Sequence, residues 1–136
     1  MAERKARRAA DVEASTTSNY PDMFKARLGR RIKRKLGDQF GLDQFGVNLT
    51  ELRPGAASAL RHWHSDEDEF VYILEGEATL VTDAGDEVLR AGDCMGFKAG
   101  IRDGHHLVNR SARPVRYLEL GSRRPGTDEV FYPDDD

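Results

Sequence analysis

With 136 residues the chain has room for one domain, since domains run at ~100–200 residues. Hydrophobic residues make up 38% and charged residues 33%, and no apolar run approaches the ~18 residues of a spanning helix, which excludes a helical membrane protein. The single cysteine, Cys94, excludes an intrachain disulfide scaffold and a cysteine-based zinc module, and the net charge of −3 points to no strongly charged partner.

The opening Met-Ala-Glu-Arg-Lys has no apolar stretch of the secretory type, so a reducing, cytoplasmic location is expected. Charge is uneven along the chain. Residues 1–37 hold eleven Lys or Arg against four acids, +7, leaving −10 on the other ninety-nine residues. No aromatic residues interleave the basic run and no nucleic-acid motif accompanies it, so nucleic-acid binding is not expected. Residues 1–19 read as a flexible, basic, loosely ordered or disordered tail, because Ala14–Asn19 has no apolar periodicity. Residues 20–136 form the single expected domain.

Within it the pattern is short strands and turns. Residues 30–36 read as an edge strand whose basic side chains face water. Phe45, Val47 and Leu49 alternate with Gly46, Asn48 and Thr50, the period of a half-buried strand. Residues 70–74, Phe-Val-Tyr-Ile-Leu, are apolar throughout, which predicts a strand covered on both faces. Residues 78–82 and 87–89 flank Asp83-Ala84-Gly85-Asp86, a hairpin turn. Residues 105–109 and 114–120 supply the last strands, and Asp134-Asp135-Asp136 reads as a solvated tail. Turn signals about every ten residues, without an amphipathic helix after residue 40, predict an all-β sandwich or barrel.

Three of the four histidines can meet in one site. On a strand, His62 and His64 point to the same face while Trp63 faces away. Ser65-Asp66-Glu67-Asp68 turns the chain so that Glu69 opens the next strand beside the histidine pair, and His105 lies in a later strand. Imidazoles with a carboxylate suit one divalent transition metal, with zinc, iron, manganese and nickel as candidates, and four protein ligands leave positions open for a substrate. Trp63 is expected to pack, Cys94 to be a buried small hydrophobe, and Glu67 sits in the turn as a rival to Glu69. Tyr117 and Glu119 share a strand face and are candidate catalytic groups, Glu119 as a proton shuttle or substrate anchor. Asn48, Arg61 and Asn109 are candidate substrate-binding residues, with Asn109 also able to cap a turn.

The spacing of these residues resembles the cupin superfamily, in particular its small single-domain bacterial members of the cupin 2 type. The first cupin motif is met by Gly55, six residues, His62-Trp63-His64, four residues, Glu69, six residues and Gly76. The second spans Gly92 to Asn109, with Lys98 where the motif has proline and two extra residues before His105. The resemblance implies a double-stranded β-helix, a jelly-roll barrel with a metal inside one end. It also implies His62, His64, Glu69 and His105 as ligands, and a homodimer. His105 is preferred to His106 because three residues separate it from Asn109, as the motif asks, and because it puts Leu107 on the core-facing side. The expected function is that of a metal-dependent enzyme on a small polar metabolite, of oxygenase, isomerase or lyase type. A non-catalytic small-ligand-binding or sensor protein is the alternative.

Overall fold

The computed structural model describes residues 5–16 and 20–135, apart from the side chain of Phe24. A short 3-10 turn at Ala9–Asp11 precedes β1 (Ala14–Ser15), α1 (Asp22–Leu28) and β2 (Arg31–Lys35). A second 3-10 turn, Gly37–Phe40, leads to β3 (Phe45–Leu52), β4 (Trp63–His64), β5 (Glu69–Glu75), β6 (Glu77–Thr82) and β7 (Gly85–Arg90). The chain ends through β8 (Cys94–Phe97), β9 (His106–Val108), β10 (Val115–Ser122) and β11 (Val130–Phe131). No helix among the described residues is long and apolar enough to cross a membrane.

The expectation of an all-β barrel is corrected: the elements are mostly strands, but α1 stands among them and the barrel is not closed. Among the described residues the strands form three sheets, ordered β1-β2-β3-β10-β5-β8, β7-β6-β9 and β11-β4, and none of these closes on itself. Where two sheets approach, backbone pairing shrinks to the isolated bridges Ala57↔Val108 and His62↔His105. Residues 58–61 between them are bends, so the ladder breaks there. The fold is therefore an open jelly-roll-like stack. One face of the six-stranded sheet (Leu52, Val71, Ile73, Val115, Tyr117) packs on Ala78, Leu80, Leu89 and Leu107. Each large side chain buried there contributes roughly 1.5–3 kcal/mol.

Three expectations about local exposure are corrected. The strand β5 is covered on one face only: Val71 and Ile73 are buried, while Phe70, Tyr72 and Leu74 are 39%, 39% and 45% exposed. An uninterrupted apolar run reports strand formation but not how many faces are covered. The strand β2 is no edge, because Ala14 and Ser15, from the expected loose tail, pair with Arg34 and Lys33. Its other side pairs with β3, and Arg31 and Lys33 turn inward toward a cavity. Of the C-terminal aspartates, Asp136 lies outside the described residues, and Asp134 and Asp135 are not simply solvated. Asp134 accepts two hydrogen bonds from the Arg61 guanidinium, and Asp135 pairs with Arg27 at 2.6 Å.

Gly76 joins β5 to β6 at φ +83°, and a Cβ built there would lie 2.6 Å from the Pro114 carbonyl oxygen. Both the dihedral and the backbone contact exclude a side chain. Gly76→Ala is expected to cost about 1–3 kcal/mol or more, read as a lower midpoint in denaturant unfolding. Gly85→Ala, at φ +117° with open space around it, is expected to cost less.

Candidate metal centre

His62 and His105 are held by reciprocal backbone hydrogen bonds of 3.1 and 2.9 Å, which bring their side chains from distant parts of the chain to one place. His64 follows in β4, pinned by its pairing with Val130. Glu69 opens β5, in register with Phe97 of β8 and Gly121 of β10. The Phe97 ring stacks on His105 at 3.6 Å and fixes its plane.

The three imidazoles converge on a single carboxylate oxygen. Glu69 Oε1 lies 2.9 Å from His105 Nε2, 3.3 Å from His64 Nε2 and 3.5 Å from His62 Nε2. The opposite ring nitrogens face acceptors. His62 Nδ1 is 2.7 Å from the Leu60 carbonyl, His64 Nδ1 is 2.8 Å from Asp128 Oδ2, and His105 Nδ1 is 3.4 Å from the Asp103 carbonyl. A carbonyl or carboxylate oxygen only accepts, so each Nδ1 carries a proton; a ring with that proton alone turns its Nε2 lone pair toward Glu69, and a doubly protonated ring donates to it instead. Four acceptor atoms repel one another unless protons or a cation lie among them. The donor set, its convergence and its oriented outer partners therefore fit a divalent metal.

Electrostatics agree with that reading. Burial works to raise the Glu69 pKa, but hydrogen bonds from His105 and His62 outweigh it and hold the carboxyl well below its usual range. Burial opposes charge on His62, yet the Glu69 carboxylate wins and raises its pKa above the ordinary value. The site thus draws positive charge to its centre. His106 behaves differently. Its Nδ1 bonds the Ala59 carbonyl at 2.8 Å, and burial lowers its pKa.

A second group, His64, Glu67 and Asp128, also has ligand atoms within 4.8 Å of one another, as do His62, Glu69 and His105. It uses the other nitrogen of His64, at 2.8 Å from Asp128 and 3.8 Å from Glu67. Glu67 Oε2 is itself taken by the Arg124 amide, which sets it outside the converging set. Asp128 accepts from the amides of Asp66 and Glu67 as well, which anchors it under His64. No sequence signal marks Asp128, which stands sixty-four residues from its partner.

The remaining predicted residues divide. Tyr117 and Glu119 line a cavity of about 240 Å³ that reaches the four converging side chains. Glu119 Oε1 accepts from Lys33 Nζ at 2.9 Å, Thr50 Oγ1 at 3.1 Å and Asn48 Nδ2 at 3.2 Å, so Asn48 supports Glu119. Arg61 is drawn away from the cavity to Asp83, Asp134 and the Gly104 carbonyl. Asn109 is fully buried and bonds the Leu52 and Arg113 carbonyls through Nδ2, a structural role. Trp63 stacks on Phe131 at 4.3 Å, as packing predicts. Cys94 is exposed rather than buried, because it opens the edge strand β8.

No match was found among curated proteins. Among solved structures, the chain is similar to a sugar phosphate isomerase of the cupin superfamily from Silicibacter pomeroyi. Identity there is 44%, the TM-score 0.89, and the match covers 93% of this chain and 80% of that one. A putative sugar phosphate isomerase from Acidithiobacillus ferrooxidans is 32% identical, with a TM-score of 0.74 over 78% of this chain and 67% of that one. The polyketide cyclase RemF from Streptomyces resistomycificus is 25% identical, with a TM-score of 0.76 over 96% and 85% of the two chains. Residues 48–121, which contain all four converging side chains, match the family described as cupin domain (Cupin_2), and the chain is a member of that family.

Proposed function

We propose that this protein is a metal-dependent isomerase of a small phosphorylated sugar, with His62, His64, Glu69 and His105 as the metal ligands. The observation that carries the metal dependence is the meeting of three imidazole Nε2 atoms at Glu69 Oε1. The reaction class draws its support from the two similar proteins named as sugar phosphate isomerases. Zinc, iron, manganese and nickel all suit the ligand set. A metal bound there supplies a Lewis acid that polarises a carbonyl or hydroxyl oxygen of the substrate.

The chain's own residues supply the rest. Asp128 holds the His64 ring in one tautomer and plane, and Phe97 does the same for the plane of His105. Aldose–ketose isomerisation breaks one C–H bond and forms another on the adjacent carbon, while a hydroxyl proton moves to the former carbonyl oxygen. Among the described residues Glu119 is the carboxylate lining the cavity outside the ligand set, paired with Lys33 at 2.9 Å, and its role is to take the proton from one carbon and return it to the next.

The test is turnover of metal-loaded protein on a panel of aldose and ketose phosphates in deuterated water, followed by NMR. Interconversion with deuterium entering at the carbon beside the carbonyl is expected, and chelation should stop it. Saturable binding without conversion or exchange would instead favour the non-catalytic binding protein.

A further inference from the structure

The cavity next to the imidazoles has a second chemical wall. The strand β2 sends Arg31 and Lys33, two residues apart, to the same inward face. Register aligns Lys33 with Thr50 of β3, and Thr50 with Tyr117 of β10, so the three form a row across neighbouring strands. The Lys33 side chain is 24% exposed and pairs with Glu119. Arg31 Nη1 donates to the Ser58 carbonyl at 2.5 Å, which fixes the guanidinium at the cavity wall. Two cations and the carboxylates of Glu69 and Glu119 line this cavity, so a divalent metal at the imidazoles leaves it net positive.

Tyr117 adds an independent sign. It is fully buried, and its hydroxyl makes no well-formed hydrogen bond, although the Thr50 and Ser58 hydroxyls lie close enough to act on it. A buried hydroxyl without a well-formed hydrogen bond costs free energy, and at a cavity wall a ligand oxygen can supply the missing acceptor. Burial, and next to it the Glu119 charge, push the phenol well above its usual range, so it stays a donor at any working pH.

We propose that Arg31, Lys33 and Tyr117 form a subsite for the phosphate group of the substrate, in the cavity that the metal ligands also line. The chemistry matches: a guanidinium gives paired N–H donors to a tetrahedral oxyanion, an ammonium gives a point charge, and the phenol gives one directed hydrogen bond. The inference deepens the sugar-phosphate reading and rests on it. It also assigns a task to basic residues that look solvent-facing in the sequence.

Inorganic phosphate is the probe, titrated calorimetrically into the full-length, metal-loaded protein, with metal content measured on the same samples. Wild type is expected to bind it, and Arg31→Gln and Tyr117→Phe are each expected to weaken binding about ten-fold at unchanged metal content. Without phosphate, Tyr117→Phe should leave thermal stability unchanged or raised, because the lost hydroxyl made no well-formed hydrogen bond, whereas a merely structural tyrosine would lose stability. Equal phosphate affinity in wild type and both variants would put the anion on the metal and overturn the subsite. So would absence of phosphate binding by metal-loaded wild type. Either result leaves the metal reading standing, because the metal content reports on that separately. Protein that takes up no metal but still loses phosphate affinity in both variants would support the subsite and sink the metal reading.

Discussion

Replacing His105 by alanine is expected to empty the metal site, while replacing its neighbour His106 leaves metal content unchanged. His105 Nε2 is 2.9 Å from Glu69 Oε1, whereas His106 anchors its Nδ1 on Ala59 and pairs through its backbone with Val81 of β6. His62→Ala should act like His105→Ala, since the two are bridged and each supplies one of three nitrogens. Asp128→Ala leaves all four ligands in place but removes the acceptor that orients His64, so a loss of ~10–100-fold in metal affinity is expected rather than emptying. The graded series separates ligands, a positioning residue and a bystander, and metal quantification after equilibrium dialysis reads it. Metal loss in His106→Ala with retention in His105→Ala would reverse the assignment.

The second large effect is on stability. Metal at about a hundred times its dissociation constant stabilises the folded chain by ~2.7 kcal/mol, a rise of roughly ten degrees in Tm. The size should depend on pH, and the sign follows from the site. In the metal-free chain the raised His62 pKa contributes stability that is fully present below the unfolded value of 6.5 and is lost as pH climbs through the folded one. The depressed Glu69 pKa contributes stability present above the unfolded value of 4.5 and lost as pH falls through the folded one. Protons thus do part of the metal's work in the mildly acidic range. Metal ligation needs the rings deprotonated, so it strengthens as pH rises. The difference in Tm between loaded and chelated protein should be small near about pH 5.5 and grow toward about pH 7.5. Calorimetric scans across that range check it, and a difference that shrinks with rising pH would contradict the shared centre.

Much of the site was legible because its logic is local. The alternation of His62, Trp63 and His64 fixes which rings share a face, and the motif spacing carries Glu69 and His105 to the same place. The hairpin at Asp83–Ala84 was legible for the same reason, with Thr82 and Gly85 in register. What escaped depends on contacts across sheets. The closed barrel, expected from strand spacing and from the resemblance, does not form, since residues 58–61 bend and leave isolated bridges. The inward turn of Arg31 and Lys33 follows from their register with the buried Leu52 and Thr50 of β3, which no periodicity within β2 announces. Arg61 looked like a cavity residue beside His62, yet it reaches outward to Asp83 and Asp134 from distant loops. Asp128 shows the same limit, since its partner is fixed only once β11 pairs with β4.

X-ray absorption at the metal edge of the purified protein tests the central claim most directly. The account predicts about one metal per chain, nitrogen and oxygen neighbours at ~2.0–2.2 Å, and outer-shell scattering of three imidazoles. Protein that holds no metal after incubation at neutral pH, or a bound metal without imidazole scattering, would contradict it.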